Sequence, residues 1–552
     1  MMGRVAALGL LAPGPAAVAG GDSPWFVESA AARGLDFVHR NGAGGEKHFP
    51  EIMSGGVAVL DFDGDGARDL FFAQGAPFPG CARDGVDFRD RLYRNVGGRF
   101  VDVTDAAGCA TPGYTISAIA PDWDGDGDPD LVLCEFGGVR LLRNDGGRFV
   151  DATAASGLAE SGWPQCAAAA DFDGDGDLDL YVGHYVVYDL ARALWCGDRS
   201  LGAAGRSYCH PDEYPPELDR LWENRGDGTF VDVTVQAGLE GARGKCLGLL
   251  PIDFDDDGDL DLYVANDSTE NFLWRNDGGL RFTDVATDGG CAVSSRGVAQ
   301  ASMGVDAADI DLDGDFDWVC TNLALEPNAL YRNDGDGFFT ERGLESGLGE
   351  PSLIWVGFGT RFTDVDRDGR EDLLVVNGHV VDTVERTHPG QVFAQPAHLY
   401  RNKGGGRFAL APVAEAGPWF ATRRVRRALA SLDLDDDGDL DFALGGNGEP
   451  AELLVQERAA PGGWVGFELI GAGKNRGAIG ARVTITAGGV KQRREVRGAC
   501  SYDSFVDLRC LFGLGDAATI EQVEIRWPRG AVTTIRGVER ARYHRIEEPT
   551  SK

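Results

Sequence analysis

Apolar and polar residues alternate along this chain in short bursts, and glycine-rich turns separate the bursts. Leu92 to Asn95 reads Leu-Tyr-Arg-Asn and is followed, across a Val-Gly-Gly turn, by Phe-Val-Asp-Val-Thr from Phe100 to Thr104. Alternation on both sides of a glycine turn predicts a β-hairpin. Hairpins of the same kind recur at Leu141–Asn144, Leu221–Asn224, Leu273–Asn276, Leu330–Asn333 and Leu399–Asn402. Two further apolar runs, such as Val57–Leu60 and Leu70–Ala73, flank an acidic loop ahead of each hairpin. Each unit therefore predicts four short strands.

The acidic loop is a nine-residue pattern, Asp-x-Asp-x-Asp-Gly-x-x-Asp, that occurs seven times with no substitution at its Asp or Gly positions. The copies begin at Asp61, Asp122, Asp171, Asp253, Asp309, Asp364 and Asp433, with successive spacings of 61, 49, 82, 56, 55 and 69 residues. A unit of about 50 residues carrying four strands and variable insertions is the pattern of a propeller. The fold class expected is all-β, a seven-bladed β-propeller with a small C-terminal all-β domain. Closure is legible too. Phe26-Val-Glu looks like a fourth hairpin strand with no acidic loop before it, while the seventh loop is followed by Leu440–Leu444 and Leu453–Gln456 but lacks its own fourth strand. The N-terminal strand is expected to complete the last blade, which leaves no open sheet edge in a ring.

Carboxylates at positions 1, 3, 5 and 9 of the loop, a Gly at position 6 for a sharp turn and the backbone carbonyl of position 7 converge oxygens on one point, as in the first half of an EF-hand. The expected ligands are Asp61, Asp63, Asp65, Ala67 and Asp69 in the first loop; Asp122, Asp124, Asp126, Asp128 and Asp130 in the second; and Asp171, Asp173, Asp175, Asp177 and Asp179 in the third. The fourth loop offers Asp253, Asp255, Asp257, Asp259 and Asp261, and the fifth Asp309, Asp311, Asp313, Asp315 and Asp317. The sixth offers Asp364, Asp366, Asp368, Arg370 and Asp372, and the seventh Asp433, Asp435, Asp437, Asp439 and Asp441. Hard oxygen donors without imidazole or thiolate favour Ca2+, at about seven sites, over zinc or copper. Asp-Gly turns occur without metal, but four carboxylates within nine residues repel one another unless a cation neutralises them.

These loops, with Phe-Gly pairs such as Phe358-Gly359 before them, resemble the FG-GAP repeats of integrin α-chain propellers and related bacterial proteins, over roughly residues 25 to 460. The C-terminal stretches Asn475–Arg482, Arg494–Arg497, Phe512–Gly515 and Val523–Gly530 resemble the ASPIC/UnbV domain. That resemblance names a class and implies no chemistry. It departs at Gly498–Tyr502, where the family shows a Gly-rich turn, and at Cys510; a Cys500–Cys510 bridge is one expectation there. The implied division is a signal peptide at 1–20, the propeller at 21–461 and the ASPIC/UnbV-like domain at 462–548.

Composition sharpens this picture. The loop motif supplies 28 of the 88 acidic residues, and the formal net charge is -36. Such a chain does not suit nucleic acid, whose phosphates need a basic surface. The segment from residue 463 onward instead carries 15 Lys and Arg against 10 Asp and Glu. It is expected to dock on the acidic propeller, with an anionic partner as the alternative. Met1-Met-Gly-Arg4, an apolar run Val5–Ala12 and Ala17-Val-Ala19 resemble a secretory signal cleaved near Gly20, and no later stretch is long and apolar enough for a membrane helix. A secreted, extracellular or periplasmic protein is expected. Of eleven cysteines, Cys196 and Cys209 flank a Gly-, Arg- and Ser-rich loop in the longest insertion and suit a disulfide; Cys134, Cys166, Cys246 and Cys320 sit in apolar runs as buried hydrophobes.

No Gly-x-Ser-x-Gly elbow, P-loop, dinucleotide fingerprint or His-Glu-x-x-His occurs in the chain. The expectation is a non-enzymatic binding, adhesion or scaffold module whose partner is an extracellular protein or glycan. A hydrolase or lyase at the propeller axis, built from His39, Glu51, His184 and His379, and a lectin-like module are the alternatives. Strand direction puts the acidic loops on one face and the long excursions on the other, among them His184–Arg220 with Tyr185, Tyr188, Trp195, Tyr208 and Tyr214. That second face is either a recognition surface or a lid.

Overall fold

The computed structural model describes residues 23–82 and 85–550; the expected signal peptide lies outside the described residues. The chain is all-β and is built from many small sheets. Seven four-stranded antiparallel units follow one another. The first consists of Val57–Leu60, Asp69–Phe72, Arg91–Asn95 and Phe100–Asp102, in that order. Five more repeat this order, with first strands Thr115–Ile119, Pro164–Ala170, Cys246–Ile252, Val305–Ala308 and Gly357–Thr363. The seventh contains Arg426–Leu432, Asp441–Gly446 and Glu452–Gln456, and its fourth strand is Phe26–Glu28, paired Phe26 to Gln456 and Glu28 to Leu454. The N-terminal strand thus completes the last sheet, as its sequence predicts.

The first strand of each sheet lies against the first strand of the next, and Arg426–Leu432 lies against Val57–Leu60. Crowding there selects small residues. The third sheet offers Ala167 to Ala170, and a Cβ on Gly304 would stand 2.2 Å from the carbonyl oxygen of Phe358 in the neighbouring sheet. Between sheets the side chains form separate cores. One joins Val57, Val59 and Leu70 to Ala428, Ala430 and Leu453 across the seventh and first sheets; another joins Leu250, Tyr263 and Ala265 to Val305 and Trp318 across the fourth and fifth.

A repeated hydrogen bond crosses the same seams. In the second to sixth sheets the Asn ending the third strand sends its Nδ2 to the carbonyl of the second residue in the preceding sheet's acidic loop. Asn144 reaches Phe62 at 2.8 Å, Asn224 reaches Trp123 at 2.9 Å, Asn276 reaches Phe172 at 2.7 Å, Asn333 reaches Phe254 at 3.2 Å and Asn402 reaches Ile310 at 3.0 Å. In the seventh sheet Gln456 takes the role, reaching Val365 at 3.1 Å. These clamps are buried, so each carbonyl they satisfy has no water in reserve.

The C-terminal part forms two further sheets. One consists of Cys510–Gly515, Gly463–Ile470 and Tyr543–Glu547; the other of Val490–Glu495, Arg482–Ala487, Ile520–Arg526 and Val532–Ile535. From between them a segment at 499–506 runs along the first strands of the repeat sheets. Ser504 and Phe505 pair in parallel with Val57 and Ala58, Ser501 bridges Val305, the Ser501 and Ser504 hydroxyls accept the N–H groups of Thr360 at 3.1 Å and Leu429 at 3.0 Å, and Gln165 donates to Asp503 at 3.1 Å. First strands of five sheets therefore bond one finger. The finger corrects the expected Cys500–Cys510 bridge. Both cysteines are buried free thiols, because Cys500 lies in the finger against Arg361 while Cys510 opens a strand of the C-terminal unit.

The clamp makes a prediction. Asn276→Ala deprives the carbonyls of Phe172 and Leu260 of their donor, so the urea midpoint should fall by the equivalent of about 2 kcal/mol, whereas Arg275→Ala, which removes a half-exposed surface ion pair with Asp277, should move it by less than about 0.5 kcal/mol. Equal shifts for the two variants would remove the clamp from the account of stability.

Candidate metal centres

Each acidic loop joins the first strand of its sheet to the second, and carboxylates accepting local N–H groups hold it in shape. In the first loop the Asp61 carboxylate accepts the N–H groups of Asp65 at 3.1 Å and Gly66 at 2.9 Å, and Asp65 accepts that of Ala67 at 2.9 Å. The position-6 glycines Gly66, Gly127, Gly176, Gly258, Gly314, Gly369 and Gly438 all have φ between 87° and 105°, a conformation that side chains rarely adopt. That is the physical reason this position is Gly in every copy.

The aspartate at position 9 does more than the ligand role its spacing predicts. Asp69 accepts the N–H of Asn95 at 2.7 Å on one oxygen and that of Phe62 at 3.1 Å on the other. Asp130, Asp179, Asp261, Asp317, Asp372 and Asp441 repeat the pair, each binding the end of the third strand and the second loop residue. Each tether fixes the loop to its own sheet. The remaining lone pairs still face the loop centre.

Oxygens of Asp61, Asp63 and Asp69 lie within 4.8 Å of one another, as do those of Asp122, Asp124 and Asp130, of Asp171, Asp173 and Asp179, and of Asp253, Asp255 and Asp261. In the fifth loop the converging set is Asp309, Asp311 and Asp313. Positions 1, 3 and 9 thus gather in four loops. Position 5 also spends one oxygen on the N–H of position 7: Asp126 on Asp128, Asp175 on Asp177, Asp257 on Asp259, Asp313 on Asp315, Asp368 on Arg370 and Asp437 on Asp439. Position 3 of the last two loops is Asp366, in contact with Arg401, and Asp435, which burial shifts upward.

The electrostatics of these clusters are compatible with a bound cation. Burial, reinforced by neighbouring carboxylates, raises Asp69 and Asp130 to about 8 and Asp122 and Asp171 to about 7, against the pull of their N–H donors. Buried carboxylate oxygens without a hydrogen-bond partner occur on Asp63, Asp171, Asp253, Asp309, Asp311 and Asp366. Oxygens of this kind, with no donor and little water, are what a hard metal ion satisfies.

The C-terminal unit sits on this acidic face. Arg68 of the first loop pairs with Asp507 at 3.0 Å, Lys474 with Asp177 at 3.3 Å, and Arg482 and Arg526 with Asp253 at 3.4 and 3.5 Å. Tyr543 donates to Asp433 at 2.8 Å, and Arg509 to the Asp433 carbonyl at 3.0 Å. Charge reversal between the two parts of the chain had pointed to this docking.

The groups considered for an axial active site each bond a different partner. Glu51 accepts the Tyr208 hydroxyl at 2.9 Å, His184 meets Glu160 at 3.2 Å, and His379 meets Gln391 at 3.0 Å. His39 lies 3.1 Å from the Ser54 hydroxyl, but its Nδ1 accepts the N–H of Gly448 at 3.0 Å. The proton must then sit on Nε2, which donates to Ser54 and cannot act as its base. Burial lowers His39 to about 3, so it stays neutral. The long insertion turns inward. Tyr185 and Tyr208 are buried, Tyr188 and Tyr214 stack edgewise, and all join a cluster with Phe49, Trp163 and Tyr502 that covers the tip of the finger. Cys196 and Cys209 form the expected disulfide at its outer end.

A model described as FG-GAP-like repeat matches residues 61–133, 122–182, 211–264 and 253–320, and one described as ASPIC and UnbV matches 471–552. Cartilage acidic protein 1 of Xenopus tropicalis is 28% identical over 229 residues, 40% of this chain and 32% of its own length. The Homo sapiens protein of that name is 26% identical over 228 residues, 40% and 31% of the two chains. The matched stretch thus spans about a third of each relative. Among solved structures, an Agrocybe aegerita lectin studied for recognition of terminal N-acetylglucosamine covers 67% of this chain and 84% of its own at 18% identity and TM-score 0.39. A rhamnogalacturonan lyase covers 73% and 71% at 12% identity and TM-score 0.36.

The two roles of position 9 are separable. Asp179→Asn sets an amide N–H2 against a backbone N–H and should destabilise the chain by about 2 kcal/mol in chelator as well as in calcium, while Asp315→Ala, whose position is Ala in the first loop, should cost less than about 0.5 kcal/mol. If Asp179→Asn has no effect in chelator, position 9 is a ligand and not a tether.

Proposed function

We propose that this chain, which carries FG-GAP-like repeats followed by an ASPIC and UnbV domain, is an exported calcium-binding β-propeller of seven blades that serves as a binding or scaffold module. The observation that carries the calcium reading is the set of buried, partnerless carboxylate oxygens at the loop centres. They belong to an all-oxygen donor set whose members are already shaped by their own N–H bonds. Such a set suits Ca2+, which accepts irregular carboxylate cages, better than Mg2+, which demands a tight octahedron. Asp61, Asp63 and Asp69 and their counterparts would hold the ion, and the ion would neutralise the cluster and fix the turn between two strands. Seven like sheets in sequence, the contact between the seventh and first inner strands and the shared last sheet support the ring.

The role is binding rather than catalysis on this reading. The finger fills the axis where a propeller active site would open, and the His39–Ser54 pair has the wrong tautomer for a nucleophile and base. With the acidic face covered by the C-terminal unit, an extracellular protein or glycan would meet the opposite face. Its rim carries the disulfide-closed excursion, while the aromatic residues beneath serve as its floor.

Chelation tests the calcium reading. An ion that binds only the folded chain adds about 2.7 kcal/mol per site at a hundred times its Kd, so EGTA should lower the Tm by many degrees, calcium should restore it, magnesium should restore it far less, and elemental analysis should count about seven ions per chain. A melt indifferent to chelator would sink the proposal. Export is tested separately by N-terminal sequencing of the protein recovered outside the cytoplasm, expected to begin close to residue 21; retention in the cytoplasm with Met1 in place would overturn that part.

A further inference from the structure

Between the propeller sheets and the C-terminal unit lies a chamber of about 70 Å³, walled by six arginines and five carboxylates. A single water needs roughly 10–15 Å³ of such space, so there is room for several waters or for one tetrahedral ion. The walls are unevenly satisfied. Arg497 is 8% exposed and donates one Nη1 bond to the Ala307 carbonyl at 2.8 Å, yet its Nε and Nη2 have no hydrogen-bond partner, and neither has Nε of Arg367. Against these three donors stands one partnerless acceptor, Oε1 of Glu495, 3.5 Å from Arg497 Nε. Other arginines of the chamber are spoken for: Arg361 pairs with Asp306 at 3.0 Å, Arg509 with Asp507 at 2.7 Å, and Arg494 with Glu371.

Buried guanidinium N–H groups are expensive to leave unmade, and their fork geometry matches the oxygens of a tetrahedral oxyanion. Arg497 Nη1 also lies 3.7 Å from Asp306 and Arg367 Nη2 3.5 Å from Asp439; water would satisfy the open donors one at a time, whereas the oxygens of one oxyanion would satisfy them together. The geometry points to a binding site for a small inorganic oxyanion of the sulfate or phosphate class, held by Arg497 from the C-terminal unit and Arg367 from the sixth acidic loop. The ion bridges the two parts of the chain at a seam where each contributes one wall.

Sulfate is the probe, since it does not precipitate calcium at low millimolar concentration. Isothermal titration of the full-length protein with sodium sulfate, at constant ionic strength set by sodium chloride, should show one saturable site. Arg497→Met and Arg367→Gln should each weaken it about tenfold, the cost of one charge-assisted hydrogen bond. Selenate soaked into crystals of the wild-type protein should give an anomalous peak inside the chamber, a readout that holds even if Arg497→Met fails to fold. No saturable heat, unchanged affinity in a folded Arg367→Gln, or a chamber that contains only water in the selenate-soaked crystal would each overturn the assignment.

Discussion

One carboxylate at the ninth position of each acidic loop, bonded through both oxygens to backbone N–H groups, is the contact on which the repeat depends. Asp179 shows why. Its two bonds reach Asn224 at the end of the third strand and Phe172 at the start of the loop, so a turn that would otherwise flap is pinned to the sheet it serves. The same Asn224 then sends its side chain across the seam to Trp123. Loop, sheet and neighbouring sheet are thus joined by two residues. Because both groups are buried, breaking either strands a polar partner without water, which makes the arrangement all-or-none within a unit. The carboxylates left over, at positions 1 and 3, can then be spent on an ion.

The C-terminal unit is integrated with the repeat sheets more deeply than a docked module. Its arginines and lysine answer the acidic loops at the surface, but its finger reaches through to Tyr502, whose hydroxyl donates to the Met53 carbonyl at 3.0 Å beneath the aromatic cluster. Five sheets bond that finger, so it acts as an internal template for the inner strands. Asp503 inside it is fully buried and shifted upward by burial, with Gln165 as its donor and Arg427 nearby. Arg427 in turn is satisfied by the carbonyls of Ile52, Gly378 and His379 and lies 4.0 Å over the Phe358 ring.

Much of the fold was legible because it repeats. Seven copies of one spacing locate the loops and their glycines, hairpin alternation locates the strands, and the missing fourth strand after Gln456 identifies Phe26–Glu28 as its replacement. Charge reversal after residue 463 foretold the docking. The sequence is silent where a single residue serves two elements or where the chain does something once. The Asn at the end of Leu-Tyr-Arg-Asn reads as a strand terminus, although its recurrence in six hairpins was the available signal for the clamp. The second duty of position 9 is invisible in a carboxylate already assigned to metal. Gly498–Tyr502 looks like a surface turn, and nothing in its composition says that it descends between inner strands; its small residues and Gly498, whose Cβ would stand 1.8 Å from the Ala169 carbonyl oxygen, make sense only once that placement is known. The tyrosines of the long insertion could face either way on sequence alone, and burial of Tyr185 and Tyr208 decides it.

The pairing of Phe26 with Gln456 joins residues 430 positions apart, and it bears on how the molecule comes into being. A chain emerging from a ribosome or a translocation pore presents its opening strand first and must wait for nearly the whole polypeptide before that strand finds a partner. Until then the first sheet has an unfilled neighbour and the inner strands have no template. The finger arrives later still, within the last tenth of the chain. The segment that bonds five sheets is therefore made last, and a polypeptide cut short before residue 499 would lack the finger that ties the first strands together.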